Sequence, residues 1–160
     1  MLATGYIEST VLATGGSSED IHIINFKTIM NDSQLKTLLI KKNYELAHQD
    51  NPVGANSLQT WDKLIFNEDT CLEGSFVLLE KHEILAYSLL HYTEVPNKLE
   101  FGWRGAKAHE DSKYVIFLTG CQIKYSYENN IKMISSEIDT TDFYSMEIMK
   151  IFRVCLGKRC

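Results

Sequence analysis

Apolar and polar positions along this chain cluster, alternate and then change period, and those changes mark out its elements. Ile21 to Phe26 is a strand-like run set between Ser17-Ser18-Glu19-Asp20 and Asn31-Asp32-Ser33. Leu35, Leu38, Leu39, Lys42 and Leu46 then recur at helical spacing, with Asn31, Asp32 or Ser33 as cap and Asp50-Asn51-Pro52 as stop. A shorter helix is predicted from Ser57 to about Asn67, with Leu58, Trp61, Leu64 and Ile65 as its apolar stripe. Three strand-like runs follow: Ser75–Glu80, Ile84–Tyr92 and Leu99–Arg104. They read as an antiparallel meander, joined first by Lys81-His82-Glu83 and then by Val95-Pro96-Asn97, whose proline presets φ for a turn. Beyond residue 105 the period lengthens, and Tyr114, Val115, Leu118, Cys121 and Tyr125 share one face of a helix over about 112–129. Residues 132–139 alternate as a strand, and Thr140 to Phe152 is helical again, capped by Thr140, Thr141 or Asp142. The order β-α-α-β-β-β-α-β-α is an α+β layout around a mixed sheet, in which a meander feeds a strand–helix–strand crossover.

Composition narrows what such a domain does. A chain of 160 residues, 44% of them hydrophobic, builds one core, so 21–160 reads as a single domain. Residues 1–20, low in charge, read as an N-terminal extension whose Tyr6–Leu12 piece is an edge-strand candidate, in this chain or in the partner of a homodimer. A formal charge of -5, with basic pairs only at Lys41-Lys42 and Lys158-Arg159, argues against a nucleic-acid surface. Cys71, Cys121, Cys155 and Cys160 are scattered without a C-x-x-C pair, which argues against a metal site or a disulfide framework and for reduced thiols in a cytoplasm. No apolar run is long enough to cross a membrane.

The crossover from Leu99 to Asp142 carries the candidate chemistry. It sets a helix N-terminus, with its unpaired amides, at the end of a strand, where an anionic cofactor docks. On that strand Phe101 and Trp103 alternate with Glu100 and Gly102, so one set faces the core, and Gly102 marks a bulge or a close backbone approach. His109 falls in the turn, whereas His48, His82 and His91 enter no usable constellation.

From Ile21 to Phe152 the element order resembles the GNAT superfamily of N-acetyltransferases, in the three-layer α/β/α acyl-CoA N-acyltransferase fold. Particular phrases add to the likeness: Gly74–Glu80 followed by Glu83–Tyr87, the strand ending Trp103-Arg104-Gly105, the helix segment Gln122–Asn130, and Asp139–Met146. They are similar to the bacterial branch in which such domains often occur in tandem. The resemblance implies direct acetyl transfer from acetyl-CoA to a small-molecule or peptide amine, with no metal and no covalent nucleophile. It places the cofactor along Phe101, Gly102, Trp103, Arg104, Gly105, Ala106 and Lys107, at Ser112 and Lys113, and near Asp139. It makes Glu100 the general base and Tyr144 the acid that reprotonates the leaving thiolate, with Tyr125 and Tyr127 as lesser candidates. Gln49–Asn56 would shape the acceptor pocket, where Asp50 and Glu45 favour a cationic amine.

Two features depart from the family. The glycine-rich pyrophosphate loop is replaced by Ala108-His109-Glu110-Asp111-Ser112-Lys113-Tyr114, whose two acids compete with a diphosphate for the same amides. After Phe152 only Arg153–Cys160 remains where the family adds two strands. Beside acetyl transfer, the residues therefore leave open a GNAT-fold module that binds or assembles without catalysing.

Overall fold

Among the described residues, five strands pair in the order in which the chain makes them. β1 (Ile21–Asn25), β2 (Phe76–Glu80), β3 (Glu83–Tyr92) and β4 (Lys98–Ala106) are antiparallel neighbours, and β5 (Met133–Ser136) lies parallel to β4. Short connections suffice between antiparallel neighbours. The parallel β4–β5 step needs a crossover, supplied by α3 (Ser112–Glu128). This computed structural model describes residues 21–29, 37, 40–42, 44–45, 57–80 and 83–152. The expected extension 1–20, the caps at Asn31, Asp32 and Ser33, the stripe residues Leu35, Leu38, Leu39 and Leu46, the loop Gln49–Asn56 and the tail 153–160 lie outside those residues.

Local chemistry sets the element ends. Asn25 Oδ1 accepts from Thr28 N, at 3.0 Å, and so caps the single turn α1 (Phe26–Ile29) that follows β1 directly. Ser57 does the same for α2 (Leu58–Ile65) through Thr60 N. Between β3 and β4 the backbone reverses at Pro96-Asn97, where Asn97 takes φ 58 and its carbonyl then accepts from Lys132 N, pinning the start of β5. Asp142 caps α4 (Phe143–Phe152) by accepting from the N–H of Tyr144 and of Ser145.

Alternate sheet positions face two layers. On one face Val77, Leu79, Tyr87 and Leu89 pack with Phe26, Trp61 and Ile65, and with Ile40 and Tyr44 of the helical residues that precede α2. On the other, Phe76, Leu78, Ala86 and Ala106 pack with Val115 and Leu118 of α3 and with Tyr144 and Ile148 of α4. Three expected stripe positions fail: Leu58 and Leu64 are exposed, because α2 meets the sheet only through Trp61 and Ile65, and Lys42 is exposed beside buried Ile40 and Tyr44. In α3 the polar Thr119, Gln122 and Ser126 are buried along with Val115 and Leu118, whereas Tyr114, Cys121 and Tyr125 sit at the margin. Gln122 is satisfied there, since its Oε1 accepts from Ser88 Oγ at 2.9 Å and its Nε2 donates to the Ser88 carbonyl at 3.1 Å.

One irregularity in β4 reorganises its faces. Leu90 pairs with Phe101 and Ser88 with Arg104, so β4 carries one residue more than β3 over this interval, a β-bulge at Gly102-Trp103. Phe101 accordingly packs with Leu90 and Leu99 on the α3 side, while Trp103 packs with the Trp61 cluster on the opposite side. The expectation that Phe101 and Trp103 share a face is corrected by that extra residue. β5 pairs with β4 only from Lys98 to Phe101. Beyond Phe101 the edge of β4 that faced β5 has no strand partner among the described residues.

Candidate functional site

A cavity of about 590 Å³ lies where β4 and β5 part. Glu100, Phe101, Gly102, Trp103 and Arg104 of β4 form one wall, and Glu137, Ile138 and Asp139 after β5 form the other. His91 and Asp69 line it on one side, Asp142 and Ser145 on another. Tyr44 and Trp103 meet there with ring centroids 4.9 Å apart and share Trp61 as a third aromatic neighbour.

The charge of the cavity is lopsided. Among the described residues, five carboxylates (Asp69, Glu100, Glu137, Asp139 and Asp142) line it, against one guanidinium, Arg104. Arg104 is 5% exposed; its Nη2 donates to Ser136 Oγ at 3.1 Å, bridging the parted strands, and its buried Nη1 has no hydrogen-bond partner among the described residues. Burial pulls its pKa below the usual guanidinium range, and Asp142 works against that shift. Asp142 itself is committed to the α4 N-terminus and to Ser145, and Asp139 Oδ1 accepts from the N–H and hydroxyl of Thr141.

His91 is the residue that sequence reasoning missed. Thr70 forms a bridge with it, Tyr92 N donates to the Asp69 carbonyl at 2.6 Å, and Cys71 N donates to the Leu90 carbonyl at 2.7 Å. This short backbone match carries the Asp69 carboxylate to His91, with Oδ1 3.4 Å from Nδ1. The distance is that of an ion pair and longer than a hydrogen bond, and Nδ1 is buried with no other acceptor among the described residues. The ring lies over Gly102: a Cβ there would fall 2.2 Å from His91 Nε2. Glu100 stands directly opposite His91 in the sheet register. No local signal joins residues 69, 91 and 102 in the sequence; the bridge at Thr70 does.

The other expected site residues spread around the β4–α3 turn. Gly105 lies against the buried Tyr87 ring, and Ala106 is buried beneath the α3–α4 layer. Lys107 Nζ is salt-bridged to Glu83, and Lys113 Nζ sits 4.9 Å from the centre of the Tyr114 ring. A 3₁₀ turn, His109–Asp111, precedes Ser112, the first residue of α3. The amides there are spent within the fold: Asp111 N donates to Ala108 and Ser112 N to His109 inside the turn, and Lys107 N donates to the Leu85 carbonyl of β3. Exposed Glu110 and half-buried Asp111 add negative charge at the helix start. Tyr144 is 1% exposed and does not line the cavity; its hydroxyl donates to the carbonyls of Ala106 and Ala108 at 3.3 and 3.5 Å. Burial raises its pKa. Tyr125 is half-buried at Cys71, and Tyr127 is exposed. Among the described residues there is no cluster of metal-binding side chains, and no helix is long and apolar enough to cross a membrane.

No protein-family model matches the chain, and no curated protein matches it. Solved structures do. An aminoglycoside acetyltransferase from an uncultured soil metagenomic sample, crystallised with sisomicin, superposes with a TM-score of 0.63 at 10% identity over 88% of this chain and 90% of that one. A possible acetyltransferase from Clostridium difficile gives 0.61 at 13% identity, covering 89% and 95%. A GNAT family acetyltransferase from Staphylococcus aureus gives 0.58 at 17% identity, covering 76% and 88%. By these superpositions the chain has the fold of the GNAT acetyltransferases.

Proposed function

We propose that this chain is an acetyl-CoA-dependent N-acetyltransferase acting on a primary amine by direct attack. The observation that carries the reading is the unpaired edge of β4 beyond Phe101, opening on a cavity with proton acceptors at its rim. A free strand edge binds an extended, amide-bearing arm as an added strand. Acetyl-CoA supplies an acyl group already activated as a thioester, so the chain has to position the reactants and accept a proton. Gly102 to Ala106 would hold the arm, and Arg104 Nη1 offers a donor that has no hydrogen-bond partner among the described residues. The wall formed by Glu100 and His91 would take the proton. An acid role for Tyr144 requires its hydroxyl to leave the Ala106 and Ala108 carbonyls. The excess of carboxylates favours a cationic acceptor, so the first acceptor to try is an aminoglycoside, of the kind crystallised with the metagenomic neighbour.

The fit is uneven, and that supports a second reading. At the β4–α3 turn three amides are spent internally, Lys107 is tied to Glu83, and Glu110 and Asp111 oppose a diphosphate. A GNAT-fold module that binds or assembles without catalysing would look this way. Thermal unfolding with and without acetyl-CoA separates the two. Ligand at about a hundred times its dissociation constant adds roughly 2.7 kcal/mol, a rise in Tm of about 5–10 °C for a chain of this size. Such a rise, with acetylated product from an aminoglycoside and polyamine screen, supports the enzyme. An unchanged Tm at millimolar acetyl-CoA supports the non-catalytic module.

A further inference from the structure

Resting on the acetyltransferase reading, we propose that His91, oriented by Asp69, is the proton acceptor of this site, and that Glu100 beside it docks the charge of the incoming amine. The imidazole has only one direction in which to use each nitrogen. Among the described residues, Asp69 is the one acceptor that buried Nδ1 faces, so the ring carries its proton there once the 3.4 Å separation closes by a few tenths of an ångström. Nε2 is then left with its lone pair, pointing over Gly102. Asp69 is a positioning residue, held in place by the backbone bonds that tie residues 69–71 to the end of β3.

The place of Gly102 ties this pair to the reaction. It is the first residue of β4 beyond the last pair with β5, so Nε2 overhangs the start of the free edge, where the acyl carbon of an arm paired with that edge would come to rest. Any side chain at 102 would take the space of the imidazole nitrogen. Glu100 lies one step earlier, where β4 is still paired with Ser135, beside the imidazole but short of the parting. A carboxylate so placed holds an ammonium group while its neighbour removes the proton.

The step balances. His91 Nε2 takes a proton from R–NH₃⁺ and frees the nitrogen lone pair. That pair forms the N–C bond as the C–S bond breaks. The second proton of the nitrogen goes to the departing thiolate, giving an amide and a thiol, and His91 then releases its proton to solvent.

Bromoacetyl-CoA tests the geometry without an acceptor, since its electrophilic carbon sits next to the thioester carbonyl. Nε2 displaces bromide, a C–N bond forms, and peptide mass mapping of the wild-type protein is expected to place the adduct on His91, with acetyl-CoA protecting it. His91→Gln is expected to lose the adduct and to lower kcat about 100-fold or more with the acceptor found by the screen, keeping its rise in Tm with acetyl-CoA. Glu100→Gln is expected to raise the KM for the amine about tenfold, with a smaller effect on kcat. Nitrogen-15 spectra of the histidines are expected to show His91 with its proton on Nδ1, and Asp69→Asn to shift the ring toward the Nε2–H form, a change that loss of packing alone does not produce. An adduct on another residue, an Nε2–H tautomer in the wild type, or kcat within threefold of wild type in His91→Gln overturns the proposal. If acetyl-CoA neither raises the wild-type Tm nor protects any site, the acetyltransferase reading itself fails and this inference falls with it.

Discussion

Gly102→Ala asks whether the imidazole of His91 lies where the structure puts it. The added methyl would sit 2.2 Å from Nε2, 2.4 Å from Cδ2 and 3.1 Å from Leu89 Cβ. Heavy atoms in contact need about 3.5 Å, so the ring has to retreat by roughly 1.3 Å. Leu89 belongs to a buried strand and yields little, whereas the His91 side chain is 22% exposed and can swing toward solvent. Overpacking of this kind costs about 1–3 kcal/mol, against which replacing a strand glycine returns about 0.5–1 kcal/mol. The net loss of about 0.5–2 kcal/mol corresponds to a fall in Tm of about 1–8 °C. Differential scanning calorimetry reads the fall, and the histidine nitrogen-15 spectra read the displaced ring. If the variant melts with the wild type and the His91 resonances stay put, Gly102 does not lie beneath the imidazole, and the argument built on that contact is wrong.

Gln122→Leu leaves the Ser88 hydroxyl without its acceptor, so it is expected to cost about 1–3 kcal/mol in urea unfolding. The double variant with Ser88→Ala recovers part of that loss, whereas additive losses would show that the two side chains are not coupled. Burial raises the pKa of Tyr44, Tyr87 and Tyr144 above the usual phenol value, so the folded chain holds protons that the unfolded chain has released. Their contribution is present in full below pH about 10 and is lost as pH rises through the folded-state values. Urea midpoints that stay level from pH 9 to 11.5 would contradict those environments.

Much of the fold was legible because its signals are local. The hairpin turn announced itself as Pro96-Asn97, the start of α2 as Ser57, and the change of period after residue 105 as a crossover helix. Other features depend on partners distant in sequence. Gln122 and Ser126 look like solvent positions until Ser88 comes up beneath the helix to meet Gln122. Leu58 and Leu64 look buried until α2 meets the sheet along a stripe only Trp61 and Ile65 wide. The bulge was signalled by Gly102, but strict alternation through it put Phe101 and Trp103 on one face when the extra residue sends them to opposite faces. The Asp69–His91 pair had no signal at all, because it depends on a single backbone bridge at Thr70.

The two ends of the cleft pull a ligand in different directions. At the strand end, a β4 edge without a strand partner among the described residues, the Arg104 guanidinium and a glycine under an imidazole present hydrogen-bonding groups and room to a ligand. At the helix end, the 3₁₀ turn closes on its own amides, and its flanking lysines are already engaged by Glu83 and the Tyr114 ring. A ligand held mainly by two phosphates would find little there. A ligand held by an extended arm would meet hydrogen-bonding groups along most of its length. If the chain transfers acyl groups, its affinity therefore resides in the arm and the acyl head more than in the diphosphate, because the β4–α3 turn spends its amides on the fold while the edge of β4 beside the parting from β5 does not.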